Sequence, residues 1–191
     1  MMNETKNILL VGVGGQGIIL TSKILSNALL NAGYDVKMSE VHGMAQRGGS
    51  VTTQVRYGKK VFSPIIGKGQ ADVLISFELM EAIRWIEFLK PDGKLIINDY
   101  KIPSAPILAG FAKYPENVLG TLKEKVHTLD FNAADKAKEL GNLKVQNIIM
   151  LGALVKALEL NDINWEEAIK DNVKPKFLDI NLKAFNIGKS L

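Results

Sequence analysis

Two glycine-bearing stretches near the amino end hold most of the residues whose types and spacing can do chemistry. The first is Gly12-Val13-Gly14-Gly15-Gln16-Gly17, set between a short apolar run and the start of a helix. At the spacing G-x-G-x-x-G, free backbone N–H groups and the positive end of the helix dipole face whatever lies above the turn. A phosphate or carboxylate is the natural guest, and the amides of Gly14, Gln16 and Gly17 are the expected donors. Gly12 would permit the tight turn, Gly14 and Gly15 would let a ligand reach the backbone, and Gly17 would seat the helix close on the sheet. The second stretch runs from Glu40 to Val51 and reads EVHGMAQRGGSV. Its Arg47 is a planar, bidentate donor flanked by Gln46 and by Gly48 and Gly49, where the backbone can approach closely. It can bind an anionic ligand, bind a carboxylate on another chain, or pair locally. His42 is either a proton donor or a structural hydrogen-bonding residue, and His127, in an expected strand, is read as structural. Glu40 stands near the distance at which an acid binds a ribose, and it can equally orient the Arg47 loop.

The elements that must hold these residues follow from hydrophobic patterning. The first half of Lys6 to Gly17 is a short apolar run without alternation, as in a parallel strand buried on both faces. Ile18 to Ala32 has a helical apolar face closed by Gly33. Asp35 to Glu40 is a second strand, and Val41 to Gly49 is a loop. Ser50 to Tyr57 alternates as a strand and is expected to form an antiparallel hairpin with Val61 to Ile66. Ala71 to Phe77 is a buried strand, Glu78 to Leu89 a helix, Lys90 to Gly93 a turn and Lys94 to Asp99 a further strand. The prolines at 103, 106 and 115 leave the next segment irregular, before a weaker strand over Lys125 to Leu129. Helices are expected over Asn132 to Leu140, Val145 to Leu160, from an Asn164 cap with Glu167, and from Pro175 onward. The fold class is α/β: a three-layer, mostly parallel, doubly wound (Rossmann-like) sheet with an added β-hairpin and a helical C-terminal cover. Residues 1–191 are read as one domain. The Val145 helix is apolar nearly all round, so it is either a core helix or a contact with another subunit.

Composition narrows the function classes. There are no cysteines, so the chain cannot ligate an iron–sulfur cluster through thiolates. A net charge of +4 spread over scattered lysines, without interleaved aromatics, gives no nucleic-acid patch. The longest apolar run, Ile148 to Val155, is about half of the roughly 18 residues that a membrane span needs. The opening MMNETKN lacks the features of a signal peptide, and a cytoplasmic location is the expectation. The glycine motif alone fits an NAD(P)-dependent dehydrogenase, a non-catalytic anion-binding module, or glycines kept for packing. After Glu40, however, a dinucleotide-binding chain would soon enter its next helix, and this one runs into HGMAQRGGS and the expected β-hairpin.

Taken together, Gly12 to Gly17 and Glu40 to Val51 closely resemble the gamma-type catalytic-domain subunits of the 2-oxoacid:ferredoxin oxidoreductases. The EVHGMAQRGGSV form looks most like the indolepyruvate branch of that family, and the likeness continues through ADVLISFE (71–78) and LGNLKVQNIIMLGAL (140–154). The resemblance implies oxidative decarboxylation of an aryl-2-oxoacid such as indolepyruvate to an acyl-coenzyme A thioester, with reduction of ferredoxin. Pyruvate, ketoisovalerate and 2-oxoglutarate enzymes are the sibling possibilities. Thiamine diphosphate, magnesium and the iron–sulfur clusters would then belong to a large alpha-type partner, since this chain has neither cysteines nor a Gly-Asp-Gly with a downstream Asn. Within the smaller subunit, Arg47 and then His42 are the candidate catalytic residues on their own chemistry. Gly12, Gly14, Gly15, Gln16, Gly17, Gln46, Gly48 and Gly49 are expected around a ligand such as coenzyme A, with no metal held by this chain.

Overall fold

The computed structural model describes residues 4–42 and 48–191, with His42 described by its backbone only. Strand β1 (Lys6–Val13) leads into α1 (Ile18–Asn31), β2 (Asp35–His42), β3 (Ser50–Gly58) and β4 (Ala71–Ser76). Helix α2 (Leu79–Trp85) and β5 (Leu89–Asn98) follow, then the short α3 (Ala105–Leu108), α4 (Val118–Lys125) and β6 (His127–Phe131). The chain closes with α5 (Ala133–Glu139), α6 (Gln146–Ala157), α7 (Trp165–Lys170) and α8 (Leu178–Ser190).

The strands form one sheet in the order β2-β3-β1-β4-β5-β6. Strands β1, β4, β5 and β6 pair in parallel, while β3 is antiparallel to both β1 and β2. Alternate residues of β1 enter opposite cores. Ile8 and Leu10 join the cluster formed with α1, α5, α6, α7 and α8, whereas Leu9 and Val11 join the one formed with α2 and α4. All four are fully buried, so the run needs no polar alternation.

The hairpin is present but differs from the expected one. Its arms are β2 and β3, in register from Asp35↔Gly58 to His42↔Val51. Val61 to Ile66 is not a strand. Pro64 lacks an N–H, and side chains supply the contacts: Arg56 Nη1 donates to Ser63 O at 2.9 Å and to Ile65 O at 3.1 Å. Lys90 to Gly93 is an outward excursion within β5, because Ala71↔Leu89 and Val73↔Lys94 leave the two strands out of step. Helix α4 occupies part of a stretch expected to be irregular, and it rests on Val118 and Leu122, one turn apart. The Asn164 cap is present, its Oδ1 accepting from Glu167 N at 3.2 Å.

Helix α6 is a core helix. Every residue from Asn147 to Val155 is buried, among α1, α5, α8 and β5. It crosses α8 glycine to glycine: a Cβ on Gly152 would overlap Phe185 O, and one on Gly188 would overlap Ile149 O.

Candidate functional site

The carboxyl end of β1 opens into a cleft of about 390 Å³, lined among the described residues by Val13, Gly14, Gly15, Gly17, Ile18, Ile19 and Val51. It lies outside the carboxyl end of β1, bordered by the head of α1 and by Val51 at the start of β3. Open α/β sheets bind ligands outside the carboxyl ends of their strands. Two of the three amides expected to face an anion are already occupied. Gly14 N donates to Gly49 O at 2.8 Å, and Gln16 N donates to Val13 O at 3.2 Å. The N–H groups of Gly15, Gly17, Ile18 and Ile19 have no acceptor among the described residues, and all four residues line the cleft. The amides without an acceptor therefore sit further along the chain than the motif suggested, at the head of α1, where the helix dipole adds about half a positive charge. The described lining carries no charged side chain, nucleophile or general base, so these residues can bind and orient an anion but not transform it.

The glycines and Gln16 have roles different from those the spacing implied. Gly12 makes no turn. It lies within β1, and a Cβ there would stand 2.8 Å from each of Gln16 Oε1, Ile18 Cδ1 and Phe77 Cβ. Gly17 is left-handed at φ 79°, and a Cβ on it would meet Asn147 Nδ2 of α6 at 2.8 Å, so it admits a neighbouring helix rather than the sheet. Gln16 is 5% exposed and turned inward. Its Oε1 accepts from Val13 N at 2.8 Å, and its Nε2 donates to Phe77 O at 2.6 Å, stitching the turn to the end of β4. Gly15, at φ 101° with open space around it, does leave the backbone accessible to a ligand.

The second stretch reaches the same place. Gly49 O accepts from Gly14 N, and Gly48 N lies 3.4 Å from Gly14 O, so the end of the loop closes on the glycine turn. Gln46 and Arg47 lie outside the described residues. So does the His42 side chain, whose backbone ends β2 opposite Val51. Glu40 is engaged locally, its Oε1 lying 3.3 Å from the Ser22 hydroxyl on α1. With β3 inserted between β1 and β2, Glu40 stands two strand spacings, roughly 9–10 Å, from β1. In a dinucleotide-binding fold that acid is on the adjacent strand. His127 begins β6 and is exposed.

A buried carboxylate pair, Glu78 and Glu81, stands behind the cleft without any signal in the sequence. Glu78 caps α2, its Oε2 accepting from Glu81 N at 3.0 Å, while its Oε1 accepts from Ile102 N at 3.1 Å and from the Tyr114 hydroxyl. Burial, and then the bond to Glu78, hold the Tyr114 phenol above its ordinary pKa. Glu81 sends Oε2 to the Ser50 hydroxyl at 2.6 Å and Oε1 to Arg84 Nε at 3.2 Å. Ser50 directly follows Gly49, so α2 braces the wall of the cleft. Residues three apart at a helix start look like ordinary capping, and only the fold shows the reach to Ser50 and Tyr114. Among the described residues no three His, Cys, Asp or Glu side chains group to hold a metal ion. With no cysteine in the sequence, the donors among the described residues fit neither an iron–sulfur cluster nor a magnesium-bound diphosphate.

The family model described as Pyruvate ferredoxin/flavodoxin oxidoreductase matches residues 7–191. Indolepyruvate oxidoreductase subunit IorB of Thermococcus kodakarensis is 40% identical over 190 residues, covering 95% of this chain and 93% of that protein. The 2-oxoglutarate synthase subunit KorC of Methanothermobacter thermautotrophicus is 30% identical over 200 residues, covering 100% of this chain and 97% of that protein. Among solved structures, the keto/oxoacid ferredoxin oxidoreductase gamma subunit from Geobacter sulfurreducens is similar with a TM-score of 0.71 at 26% identity, covering 97% and 96% of the two chains.

Proposed function

The chain belongs to the pyruvate ferredoxin/flavodoxin oxidoreductase family, and from that premise we propose that it is the smaller subunit of an indolepyruvate:ferredoxin oxidoreductase. The assembled enzyme decarboxylates an aryl-2-oxoacid such as indolepyruvate, passes two electrons to ferredoxin and releases the acyl group as a coenzyme A thioester. One observation carries the choice of substrate class: identity to the indolepyruvate subunit stands at 40%, against 30% for the 2-oxoglutarate one, over nearly the same length. Thiamine diphosphate supplies the decarboxylation chemistry when bound, and it belongs with magnesium and the clusters on a larger alpha-type subunit.

This chain contributes the wall of an anion-binding cleft. The amides of Gly15, Gly17, Ile18 and Ile19 receive a phosphate of coenzyme A or the substrate carboxylate, and Arg47, on the loop whose end closes on Gly14, adds the positive charge. The apolar remainder of the lining, Val13, Ile18, Ile19 and Val51, excludes water from that contact. The test is reconstitution. The purified chain is expected to reduce no ferredoxin with indolepyruvate and coenzyme A until the large subunit is added. In the complex, Arg47→Ala should lower turnover by about a hundredfold while leaving assembly intact. Ferredoxin reduction by the isolated chain, or tight NADH binding to it in calorimetry, would overturn the assignment. Unchanged turnover of the Arg47 variant would remove the arginine from the site.

A further inference from the structure

Between β5 and α4 the chain leaves the sheet as an arm, residues 99–117, built in a way that packing within this chain does not explain. Its base is clamped to the first turn of α2. Leu79 N donates to Tyr100 O at 3.0 Å, Ile102 N donates to Glu78 Oε1 at 3.1 Å, the Tyr114 hydroxyl donates to the same oxygen, and Met80 N donates to the Tyr114 hydroxyl at 3.1 Å. One buried carboxylate thus holds both the outgoing and the returning strand of the arm. The tip is hydrogen-bonded as well. Helix α3 ends in a closed Schellman turn, with Phe111 N bonding to Pro106 O at 2.9 Å, Gly110 N to Ile107 O at 3.0 Å, and Gly110 at φ 79°. In such a turn the apolar residue after the glycine normally folds back onto its own helix. Here Phe111 is 88% exposed, and Leu108 beside it is 75% exposed.

We infer that this arm is a docking element that inserts Leu108 and Phe111 into an apolar recess of the large subunit, an inference that rests on the assignment of the chain as the smaller subunit. Its position selects the occupant. The arm rises from the carboxyl edge of the sheet, the edge on which the glycine cleft opens. Its clamp, Glu78, is one helical turn from Glu81, which braces the cleft through Ser50. A large subunit that brings the reacting centre to the cleft must seat on this edge and meet the arm. The amino edge offers a comparison: Phe62 there is 85% exposed, next to the start of β2, where Val61 N bonds to Asp35 Oδ2.

The experiment measures binding of the wild-type chain and its variants to the purified large indolepyruvate oxidoreductase subunit from the same cells, with thermal unfolding of each chain alone as the check on folding. Leu108→Ser/Phe111→Ser should unfold at the wild-type temperature and bind about tenfold more weakly or worse. Phe62→Ser should bind like wild type. Tyr114→Phe, which loosens the clamp while keeping the ring, should weaken binding by a smaller factor. Wild-type binding with the double variant unaffected would overturn the arm alone, as would a loss confined to Phe62→Ser. No binding by the wild-type chain would overturn the subunit assignment and the arm with it. Self-association of the isolated chain that only the double variant abolishes, with binding to the large subunit intact, would assign the arm to a second copy and reject the proposal.

Discussion

Replacing Gln16 separates a ligand-binding residue from a structural one. In Gln16→Ala, Val13 N–H loses its acceptor at a buried position, a loss of about 1–3 kcal/mol. Phe77 O also loses a donor but keeps Asn98 Nδ2 at 3.1 Å, so that loss is nearer to one ordinary hydrogen bond, about 0.5–1.5 kcal/mol. The small void left in the turn brings the total to roughly 2–5 kcal/mol, a fall in Tm of roughly 5–15 °C for a chain of this size. Urea unfolding without any ligand measures it. Gln16→Glu adds a signed test. One carboxylate oxygen still accepts from Val13 N, but the other faces Phe77 O with no proton between them, so the acid's pKa is raised in the folded state. The benefit of the neutral form is then complete below the unfolded value, about 4.3, and is lost as pH rises through the folded-state pKa. The stability gap to wild type should therefore narrow as pH falls from 7 towards about 4. Ligand-free stability of the alanine variant within about 0.5 kcal/mol of wild type would refute the stitching role and return Gln16 to the binding set.

Two other substitutions test the parts of the fold that hold the cleft and the arm. Gly188→Ala improves intrinsic helix propensity by about 1 kcal/mol, yet its Cβ falls on the backbone oxygen of Ile149, so a net loss of about 1–3 kcal/mol is expected in urea unfolding; a gain would mean that α6 and α8 can separate without cost. For Tyr114, whose folded-state pKa is raised, the neutral phenol's contribution is complete below about pH 10 and is lost as pH rises past it. Wild-type stability should therefore converge on that of Tyr114→Phe above pH 10, and a difference constant from pH 8 to 11 would refute the clamp.

What the sequence disclosed, and what it withheld, follows from the range of the interactions. The buried run of β1 and the cap at Asn164 are local facts and were legible. The neighbours of β3 were not. Its alternating Val and polar residues suggest a half-exposed strand, yet it lies inside the sheet with Thr52 and Thr53 buried, because a small hydroxyl-bearing side chain fits a covered face at little cost. That unbonded amides stand at the head of α1 was legible as a class. The expected donors were shifted because Gly14 and Gln16 close hydrogen bonds to Gly49 and Val13, and no spacing rule foretells which amides a turn will use internally. Glu81 escaped notice for a related reason, its partner Ser50 lying 31 residues away.

The order of the strands also has a consequence for what a shortened polypeptide keeps. β1 is flanked by β3 and β4, and its two faces are completed at different points along the chain. The core that takes Leu9 and Val11 is closed by α4, whereas the one that takes Ile8 and Leu10 also needs α6, which begins only at Gln146. Removing the residues from α6 onward would thus strip one face of the strand of part of its partners and leave the other face whole.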